Sequence, residues 1–98
     1  MEPDYPDGHI PDSVTPDHVE RTIVEVQTRT DYLVGKLTTV VAVRLKNGFT
    51  IVETATCVDP DNYSENLGHK VCMKKIRDKI WMLEGYLLQQ RKHEEVPF

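Results

Sequence analysis

Cysteine is scarce in this sequence, positive charge is outnumbered, and no long apolar run occurs. Two cysteines are too few to staple a fold, and no stretch after Met1 resembles a signal peptide, so a reduced, cytosolic setting is expected. The lack of a long uncharged apolar segment excludes a membrane-spanning helix. Twelve Lys and Arg against 16 Asp and Glu give a formal net charge of -4, which speaks against bulk electrostatic binding to nucleic acid. No Gly-rich loop joins a strand to a helix, no Ser-His-Asp or Cys-His grouping is suggested by context, and the carboxylates are scattered through turns. An enzyme is therefore the least expected class. A length of 98 residues allows one small domain with a single modest core.

What is present is unevenly distributed. Residues 1–20 carry Glu2, Asp4, Asp7, Asp12, Asp17 and Glu20 without a Lys or Arg, whereas residues 69–79 carry Lys70, Lys74, Lys75, Arg77 and Lys79 against Asp78 alone. Within residues 1–14, Pro3, Pro6, Pro11 and Gly8 prevent regular helix, and this stretch reads as a flexible acidic arm. Thr15 then suits an N-cap, Pro16 the first helical position, and Val14 with Val19 a hydrophobic staple. A short helix over about 15–24 is expected. From Val24 the apolar period becomes two, with Val24, Val26, Thr28, Thr30 and Tyr32 alternating against Glu25, Gln27, Arg29 and Asp31, which reads as an exposed or edge strand ending at Gly35.

Two β-branched runs, 36–46 and 49–58, flank Asn47-Gly48, a pair that favours a two-residue type I′ hairpin loop. Pairing Lys46 with Phe49 places Leu37, Thr39, Val41, Val43 and Leu45 on the core face with Thr50, Val52, Thr54, Thr56 and Val58. Asp59-Pro60 stops the strand, and Ser64 or Asp61 is placed to cap a long helix. On that helix Cys72, Ile76, Ile80, Leu83 and Leu87 form one apolar stripe, read as the core face. Gly68 and Gly85 are each costly in a helix interior, so each points to close backbone packing or a kink. The domain is expected to span 15–93, with 94–98 a frayed tail.

The expected fold class is α+β, in the order α-β-β-β-α, with a three-stranded antiparallel meander sheet packed against a long C-terminal helix and a short N-terminal one. Opposite the core stripe lie Lys70, Lys74, Arg77 and Trp81, and Leu67, Lys74, Trp81 and Leu88 are spaced by sevens. This second seam is not needed by a monomeric core. Its lysines and arginine suit phosphates, and its tryptophan suits a base or a protein pocket. Cys57, His69 and Cys72 are too few and too loosely spaced for zinc, so no metal and no cofactor is expected. The element order is also that of double-stranded RNA-binding domains, which set a lysine-rich helix start on major-groove phosphates. Here Asp59, Asp61 and Glu65 precede the lysines, which ranks that analogy second.

The run Leu45 to Phe49 (LKNGF), the run Cys57 to Tyr63 (CVDPDNY), Gly68 with Lys70, and Lys79 to Leu88 (KIWMLEGYLL) resemble a family of small accessory proteins of tailed bacteriophages and prophages, labelled after a gene-49 product and a gene-66 product. The resemblance covers about residues 15–91. The chain departs from that pattern at Glu53-Thr54, where the family often has Gly-Glu, and at Cys72 and Ile76, where small residues are usual. The resemblance implies a phage origin and a host bacterial cytoplasm, without a reaction, cofactor or catalytic residue. The expectation is a non-enzymatic phage protein that binds a host bacterial protein, for host takeover or as a counter-defence inhibitor, through Trp81, Lys70, Lys74, Arg77, Leu67 and Leu88. Nucleic-acid binding is the second reading, and self-association as a homodimer the third.

Overall fold

A computed structural model of the chain describes residues 13–95. Most of the expected acidic arm, and Val96 to Phe98 of the tail, lie outside the described residues. The elements are α1 (Pro16–Thr22), β1 (Ile23–Leu33), β2 (Lys36–Leu45), β3 (Thr50–Thr56), a 3₁₀ turn (Pro60–Asn62) and α2 (Glu65–Glu95). The three strands form one antiparallel sheet in the order β1-β2-β3, so the fold is the α+β meander, α-β-β-β-α, expected from the sequence.

Thr15 caps α1: its Oγ1 accepts the His18 N–H at 3.2 Å, and Pro16 opens the helix with its preset φ. Both halves of the staple are engaged, Val19 in the core and Val14 against its edge. The helix stops at Thr22, two residues short of the expected end. The β-branched Ile23 is already in the sheet opposite Leu45, and the Lys46 N–H reaches the Thr22 carbonyl at 3.0 Å.

The type I′ turn expected at Asn47-Gly48 is found instead in the first hairpin. Leu33 faces Lys36, so β1 and β2 are joined by Val34-Gly35 with φ of 46° and 79°, both positive as a type I′ turn requires. Between β2 and β3 the Leu45 N–H bonds the Phe49 carbonyl at 2.8 Å, and the Gly48 N–H bonds the Leu45 carbonyl at 2.9 Å. The loop is thus Lys46-Asn47-Gly48, with positive φ at Gly48 and not at Asn47. This is the three-residue alternative, a turn closed by one left-handed glycine. Pairing is one residue out of the expected register, and a slip of one turns every β3 side chain over. Ile51, Glu53 and Ala55 point to the core side opposite Val43, Val41 and Thr39, while Thr50, Val52, Thr54 and Thr56 occupy the other face. The β2 assignment stands, with Thr39, Val41, Val43 and Leu45 buried.

One core joins the layers: Val19 of α1, Val41, Val43 and Leu45 of β2, Ile51 of β3, and Cys72, Met73, Ile76 and Ile80 of α2. The helix stripe is as expected through Ile80. Beyond it Leu83 is exposed and Leu87 only half-buried, because the helix has passed the buried cluster. At its other end Ser64 caps α2, accepting the Leu67 N–H at 3.2 Å. Asp59 caps the 3₁₀ turn, accepting the Asp61 N–H at 3.0 Å and the Asn62 amide at 2.8 Å. α2 continues through Glu94 and Glu95, two residues into the stretch read as frayed.

Candidate functional site

The residues singled out on α2 do not form one exposed surface. Leu67 and Trp81 are exposed, Trp81 at 44%, but Leu88 is buried at 7% and cannot contribute to an exposed seam. Leu88 also lies outside the main core cluster. The spacing by sevens drifts round a straight helix, so a seam that needs Leu67 and Leu88 on one line is not realised.

Several cations of this helix are engaged within the fold. Arg77 forms an ion pair with Glu20 of α1, Lys74 pairs with Asp78 one turn on at 3.0 Å, and Lys79 pairs with Glu53 of β3. Lys75 donates to the Thr54 carbonyl at 3.0 Å. These are partly exposed contacts of small individual worth. Their joint effect is to hold the basic stretch against β3 and α1 and to offset its charge. Lys70 projects from the exposed surface.

α1 is held to the same helix by His18, whose Nε2 lies 3.1 Å from Glu84 Oε2 with both side chains largely buried. Glu84 belongs to the run Lys79 to Leu88. In that run Ile80 and Leu88 are buried and Glu84 holds His18, whereas Trp81, Met82, Leu83 and Tyr86 face solvent, Met82 at 68% and Tyr86 at 72%. Met82, Leu83 and Tyr86 escaped the sequence reading. The wheel assigned Leu83 to the core, and nothing local signals that the sheet ends beneath the helix at this point.

The start of α2 carries most of the polar chemistry. Tyr63 Oη lies 2.8 Å from Thr39 Oγ1 and 2.6 Å from Thr30 Oγ1, Thr30 donates to Glu65 at 2.5 Å, and Thr28 Oγ1 lies 2.7 Å from His69 Nδ1. These hydroxyls tie strands β1 and β2 to the helix start. Beside them a groove of about 300 Å³ is lined by Ala55, Cys57, Tyr63, Leu67, Val71 and Lys75, among others. Asp59, Asn62 and Tyr63, all in the run Cys57 to Tyr63, thus serve as caps and ties.

Cys57, His69 and Cys72 are dispersed. Cys57 is half-buried in the groove wall, His69 is engaged with Thr28, and Cys72 is buried with its Sγ 3.8 Å from the Thr39 carbonyl. Burial pushes the Cys72 thiol above its ordinary range; the Lys75 ammonium opposes this and the Glu53 carboxylate adds to it. Among the described residues no group of three or more His, Cys, Asp or Glu is placed to hold a metal ion, and no helix is long and apolar enough to cross a membrane.

Comparison with known proteins adds one positive finding. No curated protein matches the chain, and no solved structure does. Residues 14–92 match the model of the phage protein family described as N4 Gp49/phage Sf6 gene 66, a span that takes in all five regular elements apart from the last residues of α2. The chain therefore belongs to the N4 Gp49/phage Sf6 gene 66 family of phage proteins.

Proposed function

We propose that this phage protein is a non-enzymatic accessory factor that docks on a protein of its bacterial host through the outer surface of α2. The observation that carries the reading is the group Trp81, Met82, Leu83 and Tyr86, exposed on the part of the helix that has passed the core. Large aromatic side chains anchor protein interfaces, burying much area at small entropic cost, and a flexible thioether adapts to the surface it meets. The ion-paired cations Lys74, Arg77 and Lys79 precede that group on the helix and leave polar surface on its N-terminal side. On this reading it acts as an inhibitor or adaptor on a host machine in the host cytoplasm, a role in keeping with its phage family.

The test is affinity capture from nuclease-treated host lysate by the full chain, compared with a Trp81→Ala/Tyr86→Ala variant and with Lys74→Ala. A host protein retained by the parent and lost by the aromatic variant, with unchanged circular dichroism, is the expected result. Equal retention by parent and aromatic variant removes this face from the reading.

Nucleic-acid binding by Lys70, Lys74, Lys75 and Arg77 ranks below it, because three of these four already have partners in the fold. Under that reading a gel shift appears at low salt and weakens steeply as salt rises.

A further inference from the structure

The two edges of the sheet are treated differently. In β2 the Leu45 N–H serves β3, and the Cys57 N–H of the outgoing chain reaches Leu37, whereas the Lys46 N–H serves the β1 side. Alternation along an antiparallel ladder then assigns the odd-numbered β2 residues to β3 and the even-numbered ones to β1. On β3, the backbone groups of Thr50, Val52, Thr54 and Thr56 point outward; there Lys75 of α2 occupies the Thr54 carbonyl. On β1 the outward groups belong to Val26, Thr28, Thr30 and Tyr32. The Tyr32 N–H donates to the Asp31 carboxylate at 3.0 Å, while past the register irregularity at Ile23/Glu25 the residues Val26, Thr28 and Thr30 present their backbone groups along a strand that contains no Lys and no Pro. The start of α2 holds the Thr28 and Thr30 side chains, but among the described residues nothing is bonded to the outward backbone groups of Val26, Thr28 and Thr30, and such an edge without lysine or proline is a template for another strand.

We infer that this edge pairs with the β1 edge of a second copy of the chain, joining two sheets into one of six strands about a two-fold axis. The charges of the strand select both the occupant and the register. With the axis passing between the two Gln27 residues, Val26 lies opposite the partner subunit's Thr28, and Glu25 lies opposite the partner subunit's Arg29, as Arg29 does opposite the partner subunit's Glu25. The sequence Glu25, Gln27, Arg29 is thus its own complement when reversed, as a two-fold interface requires. Sliding the strands one pleat one way sets Glu25 against the partner subunit's Asp31, and one more sets Arg29 against itself. One pleat the other way sets Glu25 against the partner subunit's Gln27 and loses both opposite-charge pairs, and one more sets Glu25 against itself; like charges directly opposite are unfavourable. Glu25 and Arg29 are exposed, and their present partners, Arg44 and Asp31, lie on the same sheet face, so pairing extends a charge ladder already there.

The test is sedimentation equilibrium of the full chain, from micromolar to millimolar, with a charge-exchange set. The parent is expected to dimerise. Glu25→Arg and Arg29→Glu, each of which turns both cross-axis pairs repulsive, are expected to weaken dimerisation roughly tenfold, and the double exchange to restore it. Circular dichroism checks that all three remain folded. Independently, Gln27→Cys in a Cys57→Ser background is expected to give a disulfide-linked dimer on mild oxidation, because a directly opposed pair without hydrogen bonds brings Cα atoms to about 4.5 Å. A parent that stays monomeric at millimolar concentration overturns the inference. So does a dimer indifferent to the single exchanges, or a Gln27→Cys chain that does not cross-link. None of these readouts depends on a host protein.

Discussion

Gly68 of α2 sits so close to Thr39 of β2 that a Cβ built on it would lie 2.6 Å from the Thr39 Cβ, nearer than side chains approach one another. The helix meets the central strand at a distance only glycine allows. Thr39 is itself fully buried and tied to Tyr63, so it is poorly placed to yield.

Gly68→Ala is therefore expected to destabilise the fold by about 2 kcal/mol, overpacking outweighing the gain in helix propensity. Gly85→Ala is the internal control. It has no atom within 4 Å of an added Cβ, and it should gain up to about 1 kcal/mol. Urea melts of both variants check the contrast, which disappears if the two glycines are equivalent.

Tyr63→Phe removes one hydroxyl that serves both Thr30 and Thr39. With the Thr39 hydroxyl left buried, a loss of about 1–3 kcal/mol is expected. A midpoint within error of the parent would mean that the tie contributes nothing.

Val34 holds φ of 46° while fully exposed, a left-handed backbone that β-branched residues adopt only under strain. Val34→Asn keeps the turn and relieves the strain, and should raise stability by about 1 kcal/mol. Thermal unfolding measured on both proteins is sufficient to decide.

The two thiols should separate chemically. Cys57 should react with a soluble alkylating agent in the native state and Cys72 only on unfolding, since one is half-buried and the other enclosed. The raised Cys72 pKa means that the folded state holds this proton more tightly than the unfolded chain. Its contribution to stability is complete below the ordinary thiol range and declines as pH rises through the folded value. Cys72→Ala, compared with the parent across alkaline pH, should lessen that decline. Mass spectrometry of pulse-labelled protein reads the first expectation and pH-dependent melts the second.

Element order, the Thr15 cap, the core face of β2 and the helix stripe to Ile80 were legible because each rests on local pattern. The β3 register was not. Asn47-Gly48 suits either a two- or a three-residue loop, and both faces of β3 mix apolar with polar residues, so hydrophobicity does not choose between Ile51, Glu53, Ala55 and Thr50, Val52, Thr54. The type I′ turn at Val34-Gly35 was hidden by a valine that the turn tolerates poorly. On α2, the exposure of Trp81 was readable from its wheel position. The engagement of Arg77 was not, because Glu20 is 57 residues away in sequence and comes near only through folding.

The reach of Lys75 from α2 to the edge of β3 has a consequence for stoichiometry. A sheet with two bare edges adds copies without limit and grows into a fibre, whereas one with a single bare edge closes after one addition. By occupying the outward Thr54 carbonyl in the middle of β3, Lys75 would block strand addition on that side and limit assembly through strand pairing to two chains. Replacing Lys75 should then convert a finite pair into an open-ended aggregate.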